Sequence, residues 1–414
     1  MDILKKTTEF LRWSEKWTKT DMVYLTKNGS WLTLAQIVSG ASSFLLAVAF
    51  ANLLPKEDYG IYKYVLSVAA LLTIPTLTEM HSAVIQAVAR GYEGAVVRAF
   101  KTKLKWGSFS TLAAIILSAY YWNKGNDVLV VSFLCAGAFL PLSEAANLFS
   151  AFFSGRKNFR AASLYNNFVQ IGLTGLMIAS LYLLDKVLYV IIAYFSAYAL
   201  LRLLAYRRAI KKYRPNRDED GDTIAYGKHL SLISVFGFLS SNLDKILLWH
   251  FLGAAPLAIY SFALAPVNQI SQLLKSIIPL AFPKFAAQDS AIIKKTLPAK
   301  ALKFFFVILL GVLAYIWLAP YLFRIFFPQY LEAVNYSRLW SLVLLFFPQK
   351  LIGAALQAKK QTKILYIISI TNSIIKITFL VILLPLFGIV GAIISMLIPY
   401  LINTILQLFY LKRI

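Results

Sequence analysis

The sequence holds one cysteine, three histidines and 18 acidic residues among 414 positions. With Cys135 alone inside an apolar run there is no disulfide framework and no thiolate metal site. His81, His229 and His250 fall in separate segments and do not make a metal-binding triad. Polar sequence is scarce as well, the longest internal stretch running from Arg207 to His229, so there is no room for a separate soluble domain. No metal or other cofactor is expected.

What fills the chain is apolar sequence. Hydrophobic residues make up 59% and charged residues 14%, against about 25% charged in soluble domains. A bilayer core needs about 20 helical residues to cross, and backbone facing lipid must satisfy its own hydrogen bonds. The runs read as twelve helical spans: 29–54, 59–89, 106–122, 128–153, 161–184, 187–206, 230–252, 257–283, 301–323, 335–357, 364–386 and 388–411. The fold class is an all-α polytopic membrane protein.

The net charge of +24 suggests nucleic acid until its placement is followed. Thirty Lys and Arg lie in alternate connections, whereas the opposite connections hold only Lys56, Lys124, Lys186 and Arg324. The positive-inside rule puts the basic connections and both termini in the cytoplasm. Residues 1–28 lack the apolar core and cleavage site of a signal peptide. Their Phe10, Trp13 and Trp17 among lysines suit a helix lying on the inner leaflet.

The chain divides at 207–229 into an N-lobe, 29–206, and a C-lobe, 230–414, of six spans each. Tyr59-Gly60-Ile61-Tyr62 matches Leu257-Ala258-Ile259-Tyr260 at an offset of 198. The basic connection 154–160 matches 357–363 at 203. Two matches at nearly one offset and in one orientation point to a parallel repeat about a pseudo-two-fold axis, a common transporter plan with the substrate path between halves.

At these residues the chain resembles the multidrug/oligosaccharidyl-lipid/polysaccharide exporter superfamily, and within it the Wzx-like oligosaccharide-lipid flippases. The stretch from Ala51 to Tyr62 resembles that family's first hairpin, and Ser154-Gly155-Arg156-Lys157-Asn158-Phe159 its loop after the fourth helix. Leu384-Pro385-Leu386-Phe387-Gly388-Ile389-Val390-Gly391-Ala392 is similar to its last turn, and Asp244, Gly253 and Tyr260 fit its seventh-to-eighth helix pattern. Where many relatives place an arginine near the inner end of the second helix, this chain has Gln86, with Arg90 one turn later.

Ionisable groups deep in a bilayer cost several kcal/mol and face a cavity or a partner. Lys63, Arg202, Lys303 and Arg338 lie near span ends, where their stems reach the headgroups. Lys245, Lys275, Lys350 and Lys376 lie deeper and are read as a cationic cavity lining. Asn268, Gln272, Gln349 and Asn372 supply polar groups for sugar hydroxyls. Helix–helix ion pairing is the structural alternative for the lysines. Glu79, Glu144 and Asp244 are the embedded acids, and with His81 they are the candidates for a coupling ion or proton. Glu79 and His81 follow Pro75, where a kink turns them inward.

A flippase for undecaprenyl-pyrophosphate-linked oligosaccharide, acting in the cytoplasmic membrane, is the first reading. Lysines complement its phosphates, and polar and aromatic groups suit its sugars. A multidrug antiporter of the same superfamily expects an acidic or apolar cavity. A membrane polysaccharide polymerase is the further alternative and expects a larger outward loop than Arg324–Val334; a separate polymerase and chain-length machinery are also expected partners.

Overall fold

The computed structural model describes residues 22–275, 285, 288–359 and 362–411, with side chains from residue 34 onward except a few near 362–366. Phe10, Trp13 and Trp17, which carry the interfacial reading of 1–28, therefore lie outside the described residues. Fourteen α-helices appear among those described: α1 Met22–Leu53, α2 Lys56–Leu72, α3 Met80–Ala89, α4 Ala95–Asn123, α5 Asp127–Ala146, α6 Leu148–Gly155 and α7 Phe159–Leu183. They continue with α8 Val187–Tyr213, α9 Thr223–Leu252, α10 Ala254–Lys275, α11 Ser290–Phe326, α12 Ala333–Ser341, α13 Gln349–Ala358 and α14 Thr362–Leu411. No strand occurs among them.

These helices build the twelve spans. Eight segments are long and apolar enough to cross alone, and α2 with α3 makes a ninth, bent by 41°. The segments α5–α6 and α12–α13 are single crossings interrupted by short breaks. Helix α14 holds two crossings, divided at Gly388, whose φ of 57° and ψ of −135° leave the helix. Side chains are strained at such a positive φ, so glycine belongs there. The more polar α4 and α7, of 29 and 25 residues, complete twelve.

Exposure is inverted relative to a soluble bundle. On α4 the buried face carries Ala99, Gly107, Ser110, Ala114 and Ser118, while Phe109, Leu112, Ile115 and Ile116 stand exposed. Small residues let helices approach closely where lipid, not water, takes the large apolar groups. A Cβ at Gly107 would lie 2.5 Å from Pro141 Cβ, and one at Gly60 would lie 2.0 Å from the Ala254 carbonyl oxygen. The Gly60 contact explains the hairpin motif: α2 rests directly on the backbone that starts α10.

Contacts group Val38–Ile259 with Phe326–Gln329 in one compact unit, and Tyr260–Ile325 with Tyr330–Ile414 and Met1–Ile37 in another. By contacts the first unit continues through Ile259. The cause is α9, which packs on α2 and α3. Phe326 and Phe327 join the first unit by edge contacts to Phe44, at 5.0 and 6.1 Å between ring centres. In the second unit, Tyr260 donates to Met396 Sδ at 2.8 Å, and Phe262 packs against Tyr330.

Candidate functional site

The first unit contains a buried ion cluster. Glu144, three residues after Pro141 on α5, accepts from Arg202 Nη1 of α8 at 2.9 Å. The same nitrogen bonds the Ser143 carbonyl and hydroxyl, each at 3.3 Å, and the guanidinium lies 3.9 Å from the Tyr198 ring centre. Lys103 of α4 approaches the other Glu144 oxygen at 3.8 Å. The Lys103 and Arg202 side chains are only 3% and 11% exposed. One carboxylate therefore serves two buried cations.

This corrects two sequence-level readings. Arg202 does not reach for the headgroups; it turns inward to Glu144. Lys103, counted within the connection 90–105, is a buried helical residue. A signal for it was present: Lys103 stands four residues after Ala99 and four before Gly107, on the small-residue stripe that α4 buries.

Beside the cluster is a cavity of 290 Å³ lined by Glu79, His81, Ser82, Lys103, Glu144 and Asn147, among others. It exists because α2 stops before Pro75, the chain turns through Leu77 at φ 60°, and α3 restarts at Met80. The Glu79 amide N–H donates to Ser231 Oγ at 3.1 Å, and Ser82 donates to Glu79 Oε2 at 2.8 Å. Three of the four coupling candidates thus meet around one space. The fourth, Asp244, is 1% exposed on α9 and does not line it.

The cationic candidates are placed as follows. In the second unit, Lys275 closes the described part of α10 and Lys350 opens α13, near enough for their charges to interact. Lys350 Nζ lies 5.1 Å from the Phe347 ring centre. Lys376 is half-buried on α14, and Asn372 one turn earlier has a buried Oδ1 with no hydrogen-bond partner among the described residues. Asn268 accepts from Trp340 Nε1 at 3.1 Å, and buried Gln349 accepts from Thr404 at 2.8 Å. These two amides brace helices as well as being polar. Gln272 is exposed, and Lys245 is half-buried beside Asp244 in the first unit. From Tyr260 onward the sequence has fifteen Lys and Arg but only Asp289 and Glu332 as acids.

A third constellation gathers the basic connections. Lys157 sits at φ 56°, and Asn158 caps α7 by accepting from the Ala161 N–H at 3.1 Å. Arg156 then reaches Glu93 through two bonds of 2.6 Å, and the Tyr213 carbonyl at 3.0 Å. Asn216 bonds Glu93 and Gly91, while Arg98 pairs with Glu219 and Arg90 with Asp220. These contacts strap 214–222 across 90–98.

The Arg156 bonds hold the Glu93 carboxyl below its ordinary value, against partial burial that raises it. A depressed carboxyl stabilises the fold above its unfolded pKa and loses that contribution as pH falls through the folded one. The strap should therefore hold at neutral pH and loosen on acidification below about 4.5. Amide hydrogen exchange of 214–222 should show this, with protection reduced already at pH 7 in Arg156→Ala. Equal protection in both proteins would remove the clasp.

The arrangement of long, small-residue-packed helices is found in solved membrane proteins. The chain is similar to an inward-facing multidrug resistance MATE family transporter of the MOP superfamily, with TM-score 0.68 and 14% identity over 92% of this chain and 97% of that one. It is also similar to a MOP superfamily transporter from Pyrococcus furiosus, with TM-score 0.62 and 14% identity over 94% and 95%. The fold is that of this superfamily. By the match over residues 25–288, the chain belongs to the polysaccharide biosynthesis protein family. An uncharacterized membrane protein of Methanocaldococcus jannaschii is 24% identical over 94% of this chain and 84% of its own length.

Proposed function

We propose that the protein is a flippase that moves undecaprenyl-pyrophosphate-linked oligosaccharide repeat units across the cytoplasmic membrane by alternating access, for O-antigen, capsule or exopolysaccharide synthesis. Family membership supplies the pathway class. The observation that carries the substrate is the charge of the chain after Tyr260, where Lys275, Lys350 and Lys376 lie on spans and no embedded acid accompanies them. A cluster of lysines on spans whose sequence carries no acid favours an anionic ligand. Pyrophosphate is such a group, and Asn372 and Gln272 offer amides to sugar hydroxyls.

The two lobes 29–206 and 230–414, with both termini cytoplasmic, belong to this reading. A polysaccharide polymerase and chain-length machinery are its expected partners. A multidrug antiporter is the second reading, supported by the MATE fold, and it needs an acidic cavity for cationic drugs. For the Pyrococcus furiosus transporter, a binding pocket of reverse polarity is described as suggesting a different function, and the lysines here support a similar departure.

Deleting the gene should leave the lipid-linked repeat on the cytoplasmic leaflet. Reporters active only outside the cell should respond at 123–127 and 324–334 but not at 207–229. Normal surface polysaccharide in the deletion strain would overturn the flippase reading, and an outside signal from 207–229 its orientation.

Coupling is assigned to the cavity beside Glu144. Glu144 is committed to Arg202 and Lys103, whereas Glu79 makes no ion pair among the described residues. Glu79, with His81 near it, is then the group free to exchange a proton between inward- and outward-open forms. Glu79→Gln should bind substrate yet lose the pH dependence of transport in proteoliposomes. A wild-type rate with unchanged pH dependence would take Glu79 out of the mechanism and leave the membrane potential as the drive.

A further inference from the structure

At the opposite ends of the first unit's helices from the Arg156 clasp lies a second cavity, of 390 Å³. Its size falls within the range of about 300–1,000 Å³ typical of small-molecule sites. It is walled by Tyr64 of α2, Tyr120 and Tyr121 of α4, and Trp249 of α9, with Lys124 and Asn126 from the turn between α4 and α5 at its edge. None of the ion-cluster residues reaches it.

Tyrosine and tryptophan often gather at helix ends simply as a membrane-interface belt. Here Tyr64 and Trp249 are held against each other instead, while Tyr120 stays at the edge. Tyr64 is 6% exposed and stacks on Trp249 with ring centres 4.4 Å apart and planes 13° from parallel. Its hydroxyl shares a 2.5 Å hydrogen bond with the Tyr121 hydroxyl, and Tyr121 in turn packs against Phe133. Two hydrogen-bonded phenols and a stacked indole make a wall whose conformation is set before any ligand arrives, so little ordering remains to be done on binding.

The polar edge completes the chemistry. Asn126 Oδ1 caps α5 through the Leu129 N–H at 3.1 Å, which orients the side chain and leaves its amide nitrogen to donate. Lys124 Nζ lies 5.9 Å from the Tyr120 ring centre, and Tyr120 is 53% exposed. Flat aromatic faces suit the C–H faces of a pyranose ring, while phenol, amide and ammonium groups around them suit its hydroxyls. The ammonium disfavours a cationic drug, and the polar rim disfavours a bare acyl chain.

We infer that this pocket is a saccharide-binding subsite on the outer side of the first unit, which receives one or two sugars of the transported glycan. The inference rests on the flippase reading for its orientation and ligand. It adds a glycan contact within the first unit.

The test uses the full-length protein in lipid nanodiscs and the soluble glycan released by mild acid from the host's own polyprenyl-linked oligosaccharides. Binding is read by saturation-transfer NMR. Trp249→Ala should weaken binding roughly tenfold, the scale of one lost aromatic contact, and Trp249→Phe should restore most of it. Tyr120→Ala, at an exposed position that opens no core, should weaken it severalfold and controls for misfolding. No binding by the wild-type protein, or binding that none of these variants alters, overturns the subsite, even where the same protein flips lipid-linked substrate in proteoliposomes. Failure to flip combined with glycan binding that depends on Tyr120 and Trp249 overturns the flippase reading instead and leaves the subsite standing.

Discussion

Lys275→Ala and Lys376→Ala are each expected to abolish complementation of a flippase-null strain while membrane expression stays at the wild-type level. Lys275 also shares its electrostatic environment with Lys350. Losing either charge removes attraction for a pyrophosphate in a setting where each charge-assisted hydrogen bond is worth about 1.5–3 kcal/mol. That is a loss of roughly tenfold to a hundredfold per contact. Arginine at either position keeps the charge and should do less harm. The measurement is surface polysaccharide in the complemented strain, with expression checked in parallel. Full complementation by both alanine variants would mean that these lysines only pair or reach the headgroups.

The largest effect on stability is expected at Glu144. Its carboxylate is the shared counter-charge of Arg202 and Lys103, two side chains that are almost wholly buried. Removing one partner from a buried ionic group typically costs about 3–5 kcal/mol, because the remaining charge is left uncompensated. Glu144→Ala leaves two such charges. Thermal unfolding in nanodiscs should show a drop of many degrees for Glu144→Ala. Adding Lys103→Met to it should recover part of the loss, since one stranded cation is then replaced by an apolar chain of similar length. Non-additivity of this kind marks groups in direct contact. An unchanged melting temperature for Glu144→Ala would mean that the cluster contributes nothing to the fold.

Both experiments separate two uses of membrane-embedded charge. In the first unit the cations have an internal carboxylate and stabilise helix packing next to a small polar cavity. In the chain after Tyr260 the sequence places lysines but no acid on the spans. The division follows from where acids occur: Glu79, Glu144 and Asp244 all precede Tyr260.

Much of this was legible from residue order alone. Hydrophobic runs long enough to cross a bilayer specify helices, because lipid offers the backbone no hydrogen-bond partner. The twelve spans and the breaks at Pro75 and Gly388 therefore follow from composition, from a proline that cannot continue a helix and from a glycine that tolerates positive φ. The inward turn of the chain around Glu79 and His81 was likewise expected from Pro75, and the cavity there contains both. The family-like loop 154–159 marked a place of importance but not its mechanism, since the Arg156–Glu93 bond joins residues 63 positions apart.

Tertiary structure alone decided the pairings. Whether Arg202 reaches outward or inward depends on which side chain of α5 faces it, and sequence periodicity does not specify which helix is the neighbour. Lys103 reads as a loop lysine until Gly107, on the same buried stripe of α4, is seen to meet Pro141 of α5 at close approach. Helix α9 begins the second run of six spans in sequence yet packs with α2 and α3. Span boundaries are local, set by the hydrophobic length of each run, and so the sequence determines them. Partner choice between helices is nonlocal, set by shape complementarity and buried charge, and it became readable only once the helices were packed.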